Sequence, residues 1–581
     1  MMFALETVAG LGELARLPGY GEATPELADS ILEEAGKFAA GVLAPLNRIG
    51  DQQGSRLENG IVRTPDGFRE AYAQFCDGGW NGLPADPAFG GQGLPTVLGA
   101  AAQEMWDGAN MAFGLCPLLT KAVIDALERF GTAAQKAKYL GPLVQGRWSG
   151  TMQLTEPQAG SDVGAARTRA VKNGETYRVA GQKIFITYGD HDLAENIVHM
   201  VLARTPQAPV GVKGLSLFIV PKFLVGDDGK PGARNDVRCV SLERKMGVHG
   251  SPTAVLAYGD DGGAIGELIG EENRGIEYMF AMMNNARLAI GIQGLGVAER
   301  AYQQARDYAR ARIQGRAVDG ADPAPVPIIR HPDVKRMLAT MAALVAAMRA
   351  ITYRAAAAID RARRLPDAAA RAAWLAEAEL LTPVAKAWCS DRACEVTSLA
   401  VQVHGGLGFI EPTGVAQLYR DVRIAPIYEG TNGIQANDLV GRKLTRDGGA
   451  AARAFFARIR AIAADADGAL PEIGRELAAG LAALERATGW LIETWPKDKR
   501  LALAGASPYL SLFGLVTGAC LLTKQALAAQ ARLADGADDF LRGRIALAQF
   551  FAANLLPAAP GLAAAATAGG RSLLDLPESE V

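Results

Sequence analysis

At 581 residues the chain exceeds what one hydrophobic core can organise, so three or four packed units are expected. A hydrophobic share of 49% with 21% charged residues is that of an ordinary soluble globular protein, and a net charge of −2 gives no electrostatic case for nucleic acid or an anionic membrane. Six cysteines without a Cys-x-x-Cys pair and five histidines without His-Glu-x-x-His argue for a reducing compartment and against disulfide scaffolds and metal sites.

The opening segment, MMFALETVAGLGELARLPGYGEATPELADS, carries acids and no basic stretch ahead of an apolar core. It reads as neither a secretory signal nor a transit peptide, which makes the cytoplasm the expected location. Residues 1–150 read as a helical domain with glycine-rich loops; TPELADSILEEAGKFAAGVLAPL starts on a Thr-Pro signal and is amphipathic. Over 151–270 the period changes to short β-rich runs, ETYRVAGQKIFIT, NIVHMVLAR, LSLFIVPKF and PTAVLAYGD, which predicts a small antiparallel β-domain. Residues 271–445 return to helix, with a proline-rich break at 323–327, and 446–581 form an additional alanine-rich helical domain. The predicted fold is therefore mainly α with a central antiparallel β-domain. Leu501–Thr523 has no charge and is long enough to span a bilayer, but its glycines, proline and hydroxyls favour a helix buried among other helices.

Four stretches carry candidate chemistry. In MQLTEPQAGSDVGAARTRA (152–170), a Thr-Glu-Pro turn and a Gly-Ser-Asp run present hydroxyls and backbone N–H groups suited to a polar cofactor edge or a phosphate. IFITYG sets Phe185 and Thr187 on one face by strand alternation, an aromatic platform beside a hydroxyl. VQVHGGLGFI places Gln402 ahead of Gly405 and Gly406, glycines that let a backbone approach a ligand, while no Gly-x-Gly-x-x-Gly signals a Rossmann site. ARARIQGR offers Arg310, Arg312 and Arg316 at a predicted helix end for bidentate pairing with phosphates. For each there is a plain structural alternative: a turn, a core-facing aromatic, or a solvated charged face. IYEGTNGIQANDLVGRKL then sets a lone acid, Glu429, before a Gly-Thr-Asn-Gly turn and a helix. Macrodipole stabilisation, about 0.3–1 kcal/mol, is the plain reading of that acid.

In this order, TEPQAGSD, FIT, QVHGGLGF and YEGTNGIQ resemble the acyl-CoA dehydrogenase flavoprotein family over about residues 30–445. The long form resembles a bacterial branch that includes 3-methylmercaptopropionyl-CoA and broad-range fatty acyl-CoA dehydrogenases. The resemblance implies a helical domain, a β-domain and a four-helix bundle, with FAD between β-domain and bundle and reached also by a neighbouring subunit. It implies Glu429 as the base that removes the α-proton, and Glu429 N–H as a donor to the thioester oxygen. Leu154, Thr155, Gly160 and Ser161 would line the flavin or the CoA phosphopantetheine. Phe185, Ile186 and Thr187 would sit at the isoalloxazine, with Thr187 a donor to N5.

Gln402, Gly405 and Gly406 would meet the FAD phosphates or adenine of the partner subunit, and Thr431, Asn432 and Gly433 would form the turn over the pyrophosphate. Asn284, Arg287 and Gly430 match substrate-side positions, and Ser161 serves both ligands. Shorter members read Arg-x-x-Phe-Gly where this chain has Arg312, Ile313, Gln314, Gly315 and Arg316, so the phosphate contact of Arg312 and Gln314 departs from the pattern. The implied partners are an acyl-CoA, an electron-transfer flavoprotein and a second copy of the chain, as a homodimer or higher homo-oligomer. Two rivals share the fold: an acyl-CoA oxidase delivering electrons to oxygen, and a DNA-associated flavoprotein with a basic C-terminal domain. Residues 446–581 hold 14 Lys and Arg against 14 Asp and Glu, so that tail offers no phosphate-binding face.

Overall fold

A computed structural model of the chain describes residues 1–320, 324–534 and 536–581. These fall into two compact units, one of residues 33–94 and 105–286, the other of residues 1–32, 95–104 and 287–581.

The first of these units is built on an eight-stranded sheet. Its order is Val237–Leu242, Thr253–Tyr258, Thr176–Thr187, Ala264–Ile269, Ser216–Pro221, Asn196–Ala203, Trp148–Gln153, with Arg169–Asn173 also paired to Thr176–Thr187. All pairings are antiparallel except one: Trp148–Gln153 runs parallel to Asn196–Ala203. These two strands and Ser216–Pro221 are buried along their whole length, and of their polar side chains Thr151, Gln153 and His199 hydrogen-bond to one another. Val179, Ile186, Val201, Phe218, Val220 and Leu256 form the centre of the core.

Helix Ala133–Val144 starts on a capping box, Thr132 with Gln135, and is tied to the sheet by its own side chains. Gln135 donates to the Leu268 carbonyl, while Lys138 and Tyr139 both reach Glu267. Asn110 breaks the helical run Thr96–Phe130 with extended dihedrals and accepts the Phe113 N–H, so it caps the segment that follows. A ribbon of Arg56–Glu58 with Ile61–Arg63 lies in the region read from sequence as purely helical.

The other unit is helical. Gly275–Ala311 (from Arg287 onward), Pro332–Arg364 and Ala368–His404 are its long members. Small residues bring them together: a Cβ at Gly291 would collide with the Ala385 carbonyl, and one at Gly294 would sit 3.3 Å from Ala393 Cβ. The C-terminal region adds Ala450–Ala469, Pro471–Thr494, Ala506–Leu533, Asp539–Asn554 and Ala559–Thr567. Ala506–Leu533 carries most of the uncharged stretch and is buried inside the protein, its Gly514 against Trp388 and its Gly518 near Ala347. Among the described residues four helical stretches are long and apolar enough to cross a membrane, and Ala506–Leu533 is one whose apolar window is covered by this unit's own helices.

The end of the long helix also departs from expectation. The helix ends at Ala311, with Arg310 in its last turn and the Arg312 N–H still bonded to the Tyr308 carbonyl, whereas Ile313–Arg316 is a strand paired with Pro325–Pro327, so Arg316 alone of the three leaves the helix end. Gly315, at φ +72°, lies inside that strand, where the pairing register shifts between Ile313 and Arg316. The proline-rich break predicted at 323–327 begins outside the described residues.

Candidate active site

Glu429 is held in a strained loop of the helical unit. It is one of few non-glycine residues with positive φ, at +55°, and Gly430 follows at +84°. For a side chain with a Cβ that backbone region costs about 1–3 kcal/mol and persists only where surrounding contacts over-determine it. Those contacts are present. Asn432 N–H donates to the Pro426 carbonyl across the loop (3.0 Å), and Gln435 Nε2 donates to the carbonyls of Glu429 and Gly430 (3.2 and 3.3 Å). Tyr428 Oη donates to Gln293 Oε1 at 2.5 Å. The φ of +84° favours glycine at 430, and a Cβ there would also press on Gln435 Nε2 at 2.8 Å. Thr431 caps helix Asn432–Asp438 by accepting the Ile434 N–H. The N–H groups of Glu429, Gly430 and Thr431 have no acceptor among the described residues.

The charge around the loop decides its chemistry. Burial pushes the Glu429 carboxyl up to about 7, against the opposing attraction of Arg287 and Lys386. Arg287 is itself buried and ion-paired to Asp438 (3.5 Å), which Arg442 also approaches. Burial pulls the Lys386 ammonium down to about 7, while Glu429 and Asp391 act the other way. A carboxyl poised near neutrality beside two cations accepts a proton efficiently at physiological pH.

In the β-sheet unit, the TEPQAGSD loop is fixed from beneath by a buried ion pair. Lys183 and Glu156 side chains are 0% and 3% exposed and 2.8 Å apart. Glu156 also accepts from Thr168 Oγ1 and from the Arg167 and Thr168 N–H groups, and Lys183 donates to the Leu154 carbonyl. Burial alone would raise the Glu156 carboxyl, but Lys183 and these donors hold it at about 2. Leu154 and Thr155 are therefore rigidly set, while Gly160 and Ser161 lie exposed. Phe185 is 60% exposed at φ +59°, beside buried Ile186. The register shifts here: Lys183 pairs with Leu256 and Ile186 with Ala254, leaving Ile184 and Phe185 opposite one residue. Phe185 takes its positive φ at this bulge, and buried Ile186 lies between it and the half-buried Thr187. The hydroxyls of Thr155, Ser161 and Thr187 are unspent among the described residues. An exposed aromatic with unspent hydroxyls at a rigid turn fits a flat, polar-edged ring.

Of the residues singled out in the sequence, the structure brings Glu429, Gly430, Thr431, Asn432, Gly433 and Arg287 together. Asn432 is used differently from the expected cofactor donor. Its N–H is spent on Pro426, and its amide bonds Lys386, Ala387, Ser390 and Asp391, so it anchors the turn. Asn284 is half-buried in the stretch of helix assigned to the β-sheet unit. Gln402, Gly405 and Gly406 are exposed and lie roughly 24 Å further along helix Ala368–His404 from Lys386. Within one chain they are remote from Glu429. Arg312 and Gln314 bond each other on an exposed ribbon, past a helix end roughly 36 Å from Arg287. The sequence reading missed Lys386, Gln435 and the Glu156–Lys183 pair. For Lys386 a signal exists: it is a lone charge inside the apolar run LLTPVAKAWC.

Comparison with known proteins agrees with this architecture. The chain matches the acyl-CoA dehydrogenase N-terminal domain at residues 25–147, the middle domain at 151–260 and the C-terminal domain at 273–444. Residues 455–577 match an acetyl-CoA dehydrogenase C-terminal-like domain. It is 52% identical to the 3-methylmercaptopropionyl-CoA dehydrogenase of Ruegeria pomeroyi, covering 96% of this chain and 95% of that protein. It is 35% identical to a butyryl-CoA dehydrogenase of Syntrophomonas wolfei, covering 95% and 93%. In fold it resembles an acyl-CoA dehydrogenase from Bacillus anthracis solved with FAD, at TM-score 0.75 and 22% identity over 96% of this chain and 91% of that one.

Proposed function

The chain belongs to the acyl-CoA dehydrogenase family, and from that premise we propose that it oxidises 3-methylmercaptopropionyl-CoA to the trans-2-enoyl-CoA. The observation that carries the dehydrogenation is Glu429, a carboxyl in a strained loop whose burial raises its pKa to about 7, and the acyl group follows the 52% identical relative. The enzyme uses FAD, and the exposed Phe185 with the unspent hydroxyls of Thr155, Ser161 and Thr187 fits that cofactor. When bound, FAD supplies an acceptor for the hydride leaving the β carbon.

The chain's own residues do the rest. The Glu429 carboxylate takes the proton from the α carbon, and the unspent N–H of Glu429 donates to the thioester oxygen as charge develops there. Arg287 and Lys386 offset the cost of ionising Glu429 in its buried setting. Gln435 and Gly430 keep the loop bent so that the carboxyl and the N–H serve one substrate. Leu154, Thr155, Gly160 and Ser161 line the flavin edge and the CoA arm. Phe185, Ile186 and Thr187 back the ring, and Asn284 and Arg287 are the substrate-side residues.

Gln402, Gly405 and Gly406 are remote from their own Glu429, which supports a dimer in which they reach a neighbour's cofactor. Thr431 and Gly433 keep their assigned place at the pyrophosphate, whereas Arg312 and Gln314 serve a phosphate only through such a neighbour. An electron-transfer flavoprotein takes the electrons, and the cytoplasm is the assigned compartment.

The test is a panel of CoA esters assayed with an artificial electron acceptor on purified, FAD-loaded protein. The expected result is a yellow protein with the highest kcat/KM for 3-methylmercaptopropionyl-CoA and a reduced flavin that persists in air. Preference for a long-chain ester would overturn the substrate, rapid reoxidation by air would mark an oxidase, and failure to take up FAD would overturn the whole reading.

A further inference from the structure

Lys386 lies at the middle of helix Ala368–His404 with no exposed surface. Its ammonium makes one hydrogen bond among the described residues, 2.8 Å to Asn432 Oδ1, and no carboxylate is within ion-pairing distance. Stability does not explain such a group, since replacing a buried charge by an apolar side chain of similar volume is often neutral or stabilising. Its surroundings do. Asn432 closes the Glu429 loop through Pro426, and its amide is clamped by Ala387, Ser390 and Asp391 of the helix that carries Lys386. The charged groups that face the cluster are Glu429 on the loop, Asp391 on the helix of Lys386, and Arg287 on the neighbouring helix. Arg287 is in turn engaged by Asp438, with Arg442 beyond it. Arg287, the larger of the two positive influences on Glu429, is shared with Asp438, while Lys386 has no ion-pair partner among the described residues and adds its charge beside Glu429 and Asp391.

We propose that Lys386 is a positioning residue for Glu429: seated on Asn432, it fixes the loop and supplies the positive charge that keeps the Glu429 carboxyl ready to ionise. This rests on the reading of Glu429 as the base. The direction of the effect follows from the local charges, since burial raises the Glu429 pKa and Lys386 opposes that rise. Without the ammonium the carboxyl stays protonated to higher pH, and a protonated carboxyl accepts nothing.

The experiment compares Lys386→Met and Lys386→Gln, which remove the charge, with Lys386→Arg, which keeps it. Two quantities are followed against pH in the FAD-loaded protein: the rate of anaerobic flavin reduction by saturating acyl-CoA, and the carboxyl infrared band of Glu429, assigned by its loss in Glu429→Gln. The expected result is an upward shift of both midpoints by about one unit or more in the neutral variants, a tenfold loss of rate below the midpoint. The Arg variant should stay close to wild type. If the Met variant does not fold, the Gln variant decides, because it keeps a donor for Asn432. Unchanged midpoints with a lowered Tm would reduce Lys386 to a structural lysine and overturn the proposal. Should Glu429→Gln itself reduce flavin at the wild-type rate, the base assignment fails instead, and the two failures are told apart.

Discussion

Glu429 combines a backbone conformation that costs energy with a carboxyl that resists ionisation, and both are unfavourable unless the site has use for them. The sign of the pH effect follows. The folded pKa lies above that of an exposed carboxyl, so the stability associated with the protonated form is complete in acid and is lost as pH rises through about 7. Glu429→Gln cannot ionise and should gain in Tm over the wild type progressively across that interval. A Tm difference that stays flat with pH would mean that Glu429 ionises as easily as a surface acid. The sequence made Glu429 legible because an acid between a tyrosine and a Gly-Thr-Asn-Gly turn is an unusual string. Lys386 was not legible in the same way. A lysine on an alanine-rich helix usually reaches solvent, so its place as a lone charge in LLTPVAKAWC hints at burial, and the packing of Ala368–His404 against the Asn432 turn shows it.

Among the elements, the TEPQAGSD loop owes its shape to Glu156 and Lys183, which lie on separate segments brought together by strand Thr176–Thr187. The Glu156 pKa is depressed to about 2, so its contribution to stability is present above the ordinary carboxylate range and is lost as pH falls toward about 2. Glu156→Gln leaves Lys183 buried without its counter-charge, which should cost about 3–5 kcal/mol in urea unfolding at neutral pH and weaken FAD retention. A loss under about 1 kcal/mol would show that water relieves the lysine. Periodicity identified the four β-runs and the long helices, because burial repeats along them. It did not reveal the bulge at Ile184 and Phe185, the parallel pairing of Trp148–Gln153, or the ribbon at Ile313–Arg316. Those depend on which strand is the neighbour, information that a local pattern does not contain.

For the whole molecule, composition bounded the class and the ordered motifs supplied the fold. The uncharged Leu501–Thr523 stretch shows how the two levels combine: glycines that look like breaks in the sequence are contact points, Gly514 on Trp388 and Gly518 near Ala347. The C-terminal helices thereby complete the core of the helical unit, and a chain cut at residue 446 would expose Trp388 to water. The central claim is that this fold brings one base, Glu429, to an acyl-CoA. Its most direct test is stopped-flow anaerobic reduction of the FAD-loaded enzyme by 3-methylmercaptopropionyl-CoA, wild type against Glu429→Gln. The predicted result is unchanged flavin content, retained substrate binding and a rate of flavin bleaching lower by at least about 10²–10⁴-fold. Bleaching within a few-fold of the wild-type rate would contradict the account and place the base elsewhere.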